Sequence, residues 1–245
     1  MLSEFEKLNE KKRLASLPPL ERPWTVRLKF RKVGKLQYIS HLDLQRTFMR
    51  VIVRACIPAW YTKGFNPHAK LVFSTPLSVG SESEYEFLDL RIDRDMSPEE
   101  IMRRLNAELT DELCITDAYI PTSDFSEIAY ATYDINICTE GATKETAEQI
   151  RSVLTTSPLM LTKKTKSGEK DIDIVPLIKS ADVGFADGKI IMSATLSASV
   201  GEFLNPELLI TGLKQKCGIL SGDPTKECYT IMRTSVRRAD MTLFR

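Results

Sequence analysis

The feature that most restricts the fold of this chain is a spacing that occurs twice. Two helix starts carry proline at the first helical position, Ser97-Pro98-Glu99-Glu100 and Asn205-Pro206-Glu207, and they lie 108 residues apart. The first strands of the two halves, near Thr25 and Tyr133, have the same separation. An N-cap side chain, a proline whose missing N–H has no partner to lose, and an early glutamate together mark where a helix begins. A matched offset of strand and helix starts is the signature of a structural duplication.

Around these landmarks the first half predicts a strand over Thr25–Arg31, an approach at Gly34–Tyr38 and a helix from His41 to about Cys56. Ser40 is its expected N-cap, Asp43 the capping-box partner, and Ile39 and Leu44 a hydrophobic staple. Strands follow near Ala69–Leu77 and Glu84–Ile92, then a helix from Ser97 to Leu109 and a strand over Cys114–Ile120. The second half predicts a strand at Tyr133–Cys138, a helix at Lys144–Leu154, a long hairpin region over Leu159–Ile178, a strand at Lys189–Ala198, a helix at Asn205 and a last strand at Cys228–Arg233. The order β-α-β-β-α-β predicts an α+β chain of two tandem ferredoxin-like halves. The expected organisation is an N-terminal arm and linker (1–22), a first domain (23–125) and a second (126–245).

Charge is distributed unevenly although the net charge is only +1. Between Arg22 and Lys70 eleven basic residues face the single acid Asp43; between Leu71 and Ile115 eleven acids face four arginines. This predicts one basic and one acidic face. The five cysteines are widely spaced with no CxxC, which argues against a disulfide framework or zinc knuckle and predicts buried free thiols. No closely spaced cysteine triplet is present to hold an iron–sulfur cluster. No apolar run approaches the roughly 18 residues of a membrane span and the N-terminus has no signal-peptide stretch, so a cytoplasmic location is expected.

Chemistry is expected in the basic segment, which holds the only two histidines, His41 and His68. His41 falls at the first position of its helix, where backbone N–H groups favour anions and a neutral imidazole, and it is the candidate general acid or base. Arg46, Arg50 and Arg54 recur every four residues and form a stripe able to receive phosphates or to meet acidic partners. The loop beyond interleaves Trp60, Tyr61 and Phe65 with Lys63, His68 and Lys70, a pattern suited to stacked bases with phosphates nearby. The candidate binding set is Tyr38, Ser40, His41, Arg46, Arg50, Lys63, Phe65, Asn66, His68 and Lys70. His41, Asp43 and His68 could form a two-histidine, one-carboxylate metal set, but the cap claims Asp43, so no metal and no cofactor is expected. Lys163, Lys164, Lys166 and Lys170 make a second basic cluster, read as a hairpin tip.

The stretches KVGKLQYISHLDLQRTFMR and IPAWYTKGFNPHAKLVFSTPLSVGSESEYEFLDL resemble a bacterial family of unknown function described as radical SAM-linked proteins. The similarity is strong over Trp24 to Leu90 and thinner through GEKDIDIVPLI. Such proteins are encoded beside, or fused to, a radical SAM protein, so the resemblance implies that partner and a pathway and does not specify a reaction. The tandem architecture with a histidine on the first helix is also similar to CRISPR-RNA-processing endoribonucleases, although their glycine-rich C-terminal signature is missing from Ser235–Arg245. The expected function is a non-catalytic accessory protein that binds an RNA or phosphate-bearing substrate and presents it to the partner. The alternatives are a metal-independent endoribonuclease and a protein–protein adaptor.

Overall fold

The computed structural model describes residues 3–156, 158–165 and 168–245. It is a mixed helix-and-strand protein with five α-helices among the described residues. The chain divides into two compact units, the first running to Asp124 and also taking Arg245, the second spanning Phe125–Phe244.

Unit 1 contains α1 (Glu4–Ser16), β1 (Trp24–Lys32), α2 (His41–Arg54), β2 (Leu71–Phe73), β3 (Ser81–Ile92), α3 (Pro98–Asn106) and β4 (Leu113–Tyr119). Its strands are ordered β4-β1-β3-β2, every pair antiparallel. α2 buries Leu44, Phe48, Val51 and Ile52, a helical stripe that packs with Val26, Leu28 and Phe30 of β1 and Leu88, Leu90 and Ile92 of β3. Ala55 caps α2, Cys56 takes a left-handed turn (φ 52°), and Pro58 prevents continuation.

The arm expected at 1–22 lies partly on this core. Leu14 of α1 is buried in the unit 1 cluster, Lys7 pairs with Glu108 at 2.6 Å, and Glu10 pairs with Arg104 at 2.8 Å. Hydrogen bonds from Arg13 and, across the helices, from Arg104 hold the Glu10 carboxyl down at about 2. An amphipathic stripe too sparse to signal a core helix is thus docked by ion pairs, which sequence periodicity does not register.

Unit 2 contains β5 (Tyr130–Cys138), α4 (Lys144–Thr155), β6 (Met160–Thr165), β7 (Gly168–Asp173), β8 (Ile178–Ala186), β9 (Lys189–Ser197), α5 (Pro206–Cys217) and β10 (Cys228–Arg237). Its main strands follow the order β10-β5-β9-β8, again antiparallel, and β6 pairs β7 in a separate hairpin. The hairpin region expected over 159–178 is therefore an insertion, and the strand beside β9 is β8. Of its nine residues only Val183 is buried, so it lacks the apolar alternation that identifies a strand. Of the lysine cluster at the hairpin tip, Lys166 and the side chains of Lys163, Lys164 and Lys170 lie outside the described residues. Among the described residues no helix is long and apolar enough to cross a membrane.

Some of the unevenly distributed charge meets in contacts. Arg27 on β1 stands opposite Asp89 on β3 and grips its carboxylate at 2.7 and 2.8 Å, and Arg54 meets Glu108 at 3.1 Å. Antiparallel pairing of a basic strand with an acidic one brings the opposite charges side by side. The thiols also differ from expectation: Cys56 is buried, Cys114, Cys138 and Cys217 are half-buried, and Cys228 is exposed.

Candidate functional site

The core face of unit 1 ends in charge. Buried side chains alternate as Val26, Leu28, Phe30 and Lys32 along β1, and as Glu86, Leu88, Leu90 and Ile92 along β3. The first three of one set and last three of the other are apolar. Lys32 and Glu86, at the same end of the sheet, are only 2% and 5% exposed. Burying a charge costs several kcal/mol unless it is well partnered, so charges at inward positions are candidates for function.

Three segments converge over these charges. Gly34 opens a short turn with φ +61°, a left-handed conformation that favours glycine, and the Glu112 carboxylate lies close to where a Cβ would stand. The turn continues to Tyr38, and its Gln37 carbonyl accepts from Gly80 N–H at 2.9 Å and from the Lys32 ammonium at 3.3 Å. Ser40 then caps α2: its hydroxyl accepts from Asp43 N–H at 3.1 Å and donates to the Asp43 carboxylate at 2.7 Å. In the expected capping box the carboxylate would take the backbone N–H of the cap residue; here it takes the hydroxyl. From β2, Phe73 closes the edge.

These pieces line one narrow cleft formed by Lys32, Ile39, Ser40, His41, Leu44, Phe73, Thr75, Leu77 and Glu86. Its interior space, about 10 Å³, is that of a single water molecule. A whole nucleotide is excluded, whereas one oxygen of a phosphate or hydroxyl group fits. An aromatic chain holds His41 at the mouth: Phe30 contacts Phe48 at 5.1 Å, Phe48 contacts Phe73 at 5.9 Å, and Phe73 contacts the imidazole edge-on at 4.9 Å. Each such pair contributes about 0.5–1.5 kcal/mol beyond burial. The ring is exposed, so core packing sets its orientation while leaving it accessible.

The remaining candidates fall elsewhere. Tyr38, 69% exposed, points away from the core. On α2, Arg46 makes an exposed pair with Asp43 at 3.3 Å and Arg54 is tied to Glu108, leaving Arg50 exposed without an ion-pair partner among the described residues. Lys63, Phe65, Asn66, His68 and Lys70 belong to a closed loop. Tyr61 bridges Ala69, and Thr62 N–H donates to the His68 carbonyl at 2.9 Å. His68 Nδ1 lies 3.1 Å from the Asn66 carbonyl, a contact that requires the proton on Nδ1. His68 therefore closes the loop, and Phe65 stands fully exposed at its apex with Lys63.

Among the described residues no hydrogen bond, ion pair or ring contact joins His41 to His68. Their link is β2: Lys70 precedes the strand whose third residue packs on His41, a rise of roughly 10 Å. Sequence reading singled out the mouth and the loop but not Lys32 and Glu86. The available signal was phase, since both continue an alternation of inward apolar residues at its end.

No curated protein matches the chain. Among solved structures it is similar to an unknown protein from Galdieria sulphuraria, at 8% identity over 86% of this chain and 99% of that one, with a TM-score of 0.25. It is also similar to a variant of Rhodococcus jostii RHA1 DypB in complex with heme, at 11% identity over 90% and 96% of the two chains, with a TM-score of 0.19. Residues 25–206, a span that takes in the cleft, the loop and most of both units, match the family described as "Uncharacterized protein conserved in bacteria (DUF2344)", and the chain belongs to that family.

Proposed function

We propose that this protein is a cytoplasmic accessory protein that binds an RNA or another phosphate-bearing substrate at the mouth of the unit 1 cleft and presents it to a radical SAM partner enzyme. The observation that carries the reading is the placing of two buried charges, Lys32 and Glu86, beneath an accessible His41 at a helix N-terminus. An anionic oxygen entering the cleft meets the positive end of α2, the His41 ring and the Lys32 ammonium, while the Glu86 carboxylate in the same lining is an acceptor for a neighbouring hydroxyl of the ligand. Arg50, Lys63 and Lys70 supply exposed cations for neighbouring phosphates, and Phe65 offers a free ring face for a base. The radical SAM partner rests on the family resemblance alone. The reading includes two tandem ferredoxin-like halves, supported by the shared strand order of units 1 and 2.

A second reading has its own support: His41 and Lys32 lining one cleft could move a proton and stabilise a charged transition state, as a metal-independent endoribonuclease requires. One experiment separates the two. Binding of a single-stranded RNA is measured against salt for the wild type, His41→Ala and Lys63→Ala, with cleavage followed in chelator. Presentation predicts no cleavage, binding that falls steeply with salt, and a slope shallower by about one unit in Lys63→Ala. Metal-free cleavage lost in His41→Ala supports the nuclease instead. Salt-independent or absent RNA binding refutes RNA as the ligand in both readings and favours the adaptor.

A further inference from the structure

A pair of thiols lies in unit 2. Cys138 is the last residue of β5 and Cys228 the first of β10, and the antiparallel register sets them directly opposite one another. Directly opposed residues hold their Cα atoms roughly 4.5–5.5 Å apart, inside the span of about 4.4–6.8 Å that a disulfide bridges. The two thiols are near enough for each to act on the other's ionisation. Cys138 is half-buried, whereas Cys228 is exposed and lines an open cleft with Lys214, Ser221 and Glu227. The chain leading into β10 is itself held down, since the Glu227 carboxylate accepts from Thr139, from Glu140 N–H at 2.9 Å and from Gly222 N–H at 2.5 Å. Among the described residues no disulfide and no third metal-ligating side chain accompanies the pair.

We infer that Cys138 and Cys228 form a reversible dithiol–disulfide pair, oxidised by a low-molecular-weight disulfide that enters through the unit 2 cleft. Cys228, the accessible sulfur, attacks as its thiolate. One sulfur of the small disulfide joins it in a mixed disulfide, and the other leaves as a thiolate that takes up the proton Cys228 released. Cys138 then loses its proton and attacks the Cys228 sulfur, forming the cross-strand disulfide and expelling the second small thiol. Two protein thiols are oxidised and one disulfide is reduced to two thiols, so atoms and electrons balance. The neighbouring Cys138 thiol and burial both raise the Cys228 thiol above its ordinary range, so little thiolate is present at neutral pH and the exchange is slow without excess disulfide. The product would pin the start of β10, and with it the 218–227 segment, to the end of β5.

The test treats the full chain with oxidised glutathione, traps remaining thiols and maps the peptides by mass spectrometry. A Cys138–Cys228 linkage in the wild type, with Cys138→Ser arrested as a glutathione adduct on Cys228, is the expected result. The Cys138→Ser replacement is a small change at a strand end, and its folding is checked by circular dichroism. A stable adduct on Cys228 beside a free Cys138 in the wild type, a link to Cys217 or Cys114, a dimer joined through Cys228, or an unreactive Cys228 would each overturn the inference.

Discussion

The two units share a strand order but fill it differently. In unit 2 the inward rungs of the central pair are uncharged from end to end: Ala131 faces Leu196, Tyr133 faces Ala194, Ile135 faces Met192 and Ile137 faces Ile190. In unit 1 the rungs begin in the same manner, with Val26 facing Leu90 and Leu28 facing Leu88, and then Phe30 faces Glu86 and Lys32 follows beyond a bulge. The topology does not require those charges, because unit 2 is built without them. What they accompany is the start of the first helix, Ser40-His41 in unit 1 against Thr143-Lys144 in unit 2. A departure from a pattern that the central strand pair of the sister unit keeps is the best internal mark of a site in this molecule.

The comparison extends to the buried arginines, where the largest effect is expected. Unit 1 holds Arg27 with a carboxylate gripped at 2.7 and 2.8 Å, while in unit 2 Arg233 donates to the Tyr133 hydroxyl at 3.1 and 3.3 Å and lies over its ring. Asp89→Ala should destabilise by about 3–5 kcal/mol, since it takes the bidentate carboxylate from a buried guanidinium. Tyr133→Phe should cost less, about 1–3 kcal/mol, the loss of one acceptor. Denaturant unfolding of both variants decides the matter, and equal costs would break the distinction.

An intermediate effect is expected from making unit 1 resemble unit 2. Replacing both inward charges, Lys32→Met with Glu86→Leu, should leave stability unchanged or raise it by about 1–4 kcal/mol, because apolar replacements no longer carry the desolvation cost. The same variant should lose RNA binding. A loss of stability beyond about 2 kcal/mol, with binding intact, would make the charges structural and remove the site from the cleft.

The smallest effect separates the two helix starts. Ser40→Ala and Thr143→Ala should each cost about 1 kcal/mol, the worth of an N-cap. Only Ser40→Ala should also weaken binding, since its hydroxyl lines the cleft. Binding that responds equally to both caps would show that it follows stability alone.

Local signals made much of this legible. The helix starts at Ser40, Ser97, Thr143 and Asn205 are all side-chain N-caps in the structure, and each was visible as a cap residue or as the onset of a periodic pattern. Capping involves side chains and backbone within three residues, so sequence contains the whole interaction. β8 was missed because an edge strand that buries one side chain carries almost no pattern. The docking of α1 was missed because Lys7–Glu108 and Glu10–Arg104 join residues about a hundred positions apart.

For the candidate site the division follows the same physics. The residues themselves determined that His41 opens a helix, that the loop over 60–70 mixes rings with cations, and that strands and helices alternate in a repeated order. Only the tertiary structure decided that Arg54 is consumed by Glu108, that His68 closes its own loop, and that Lys32 and Glu86 lie under His41. Which charges pair and which remain available depends on strand register and on helix packing, interactions between segments remote in sequence whose partners no local pattern names.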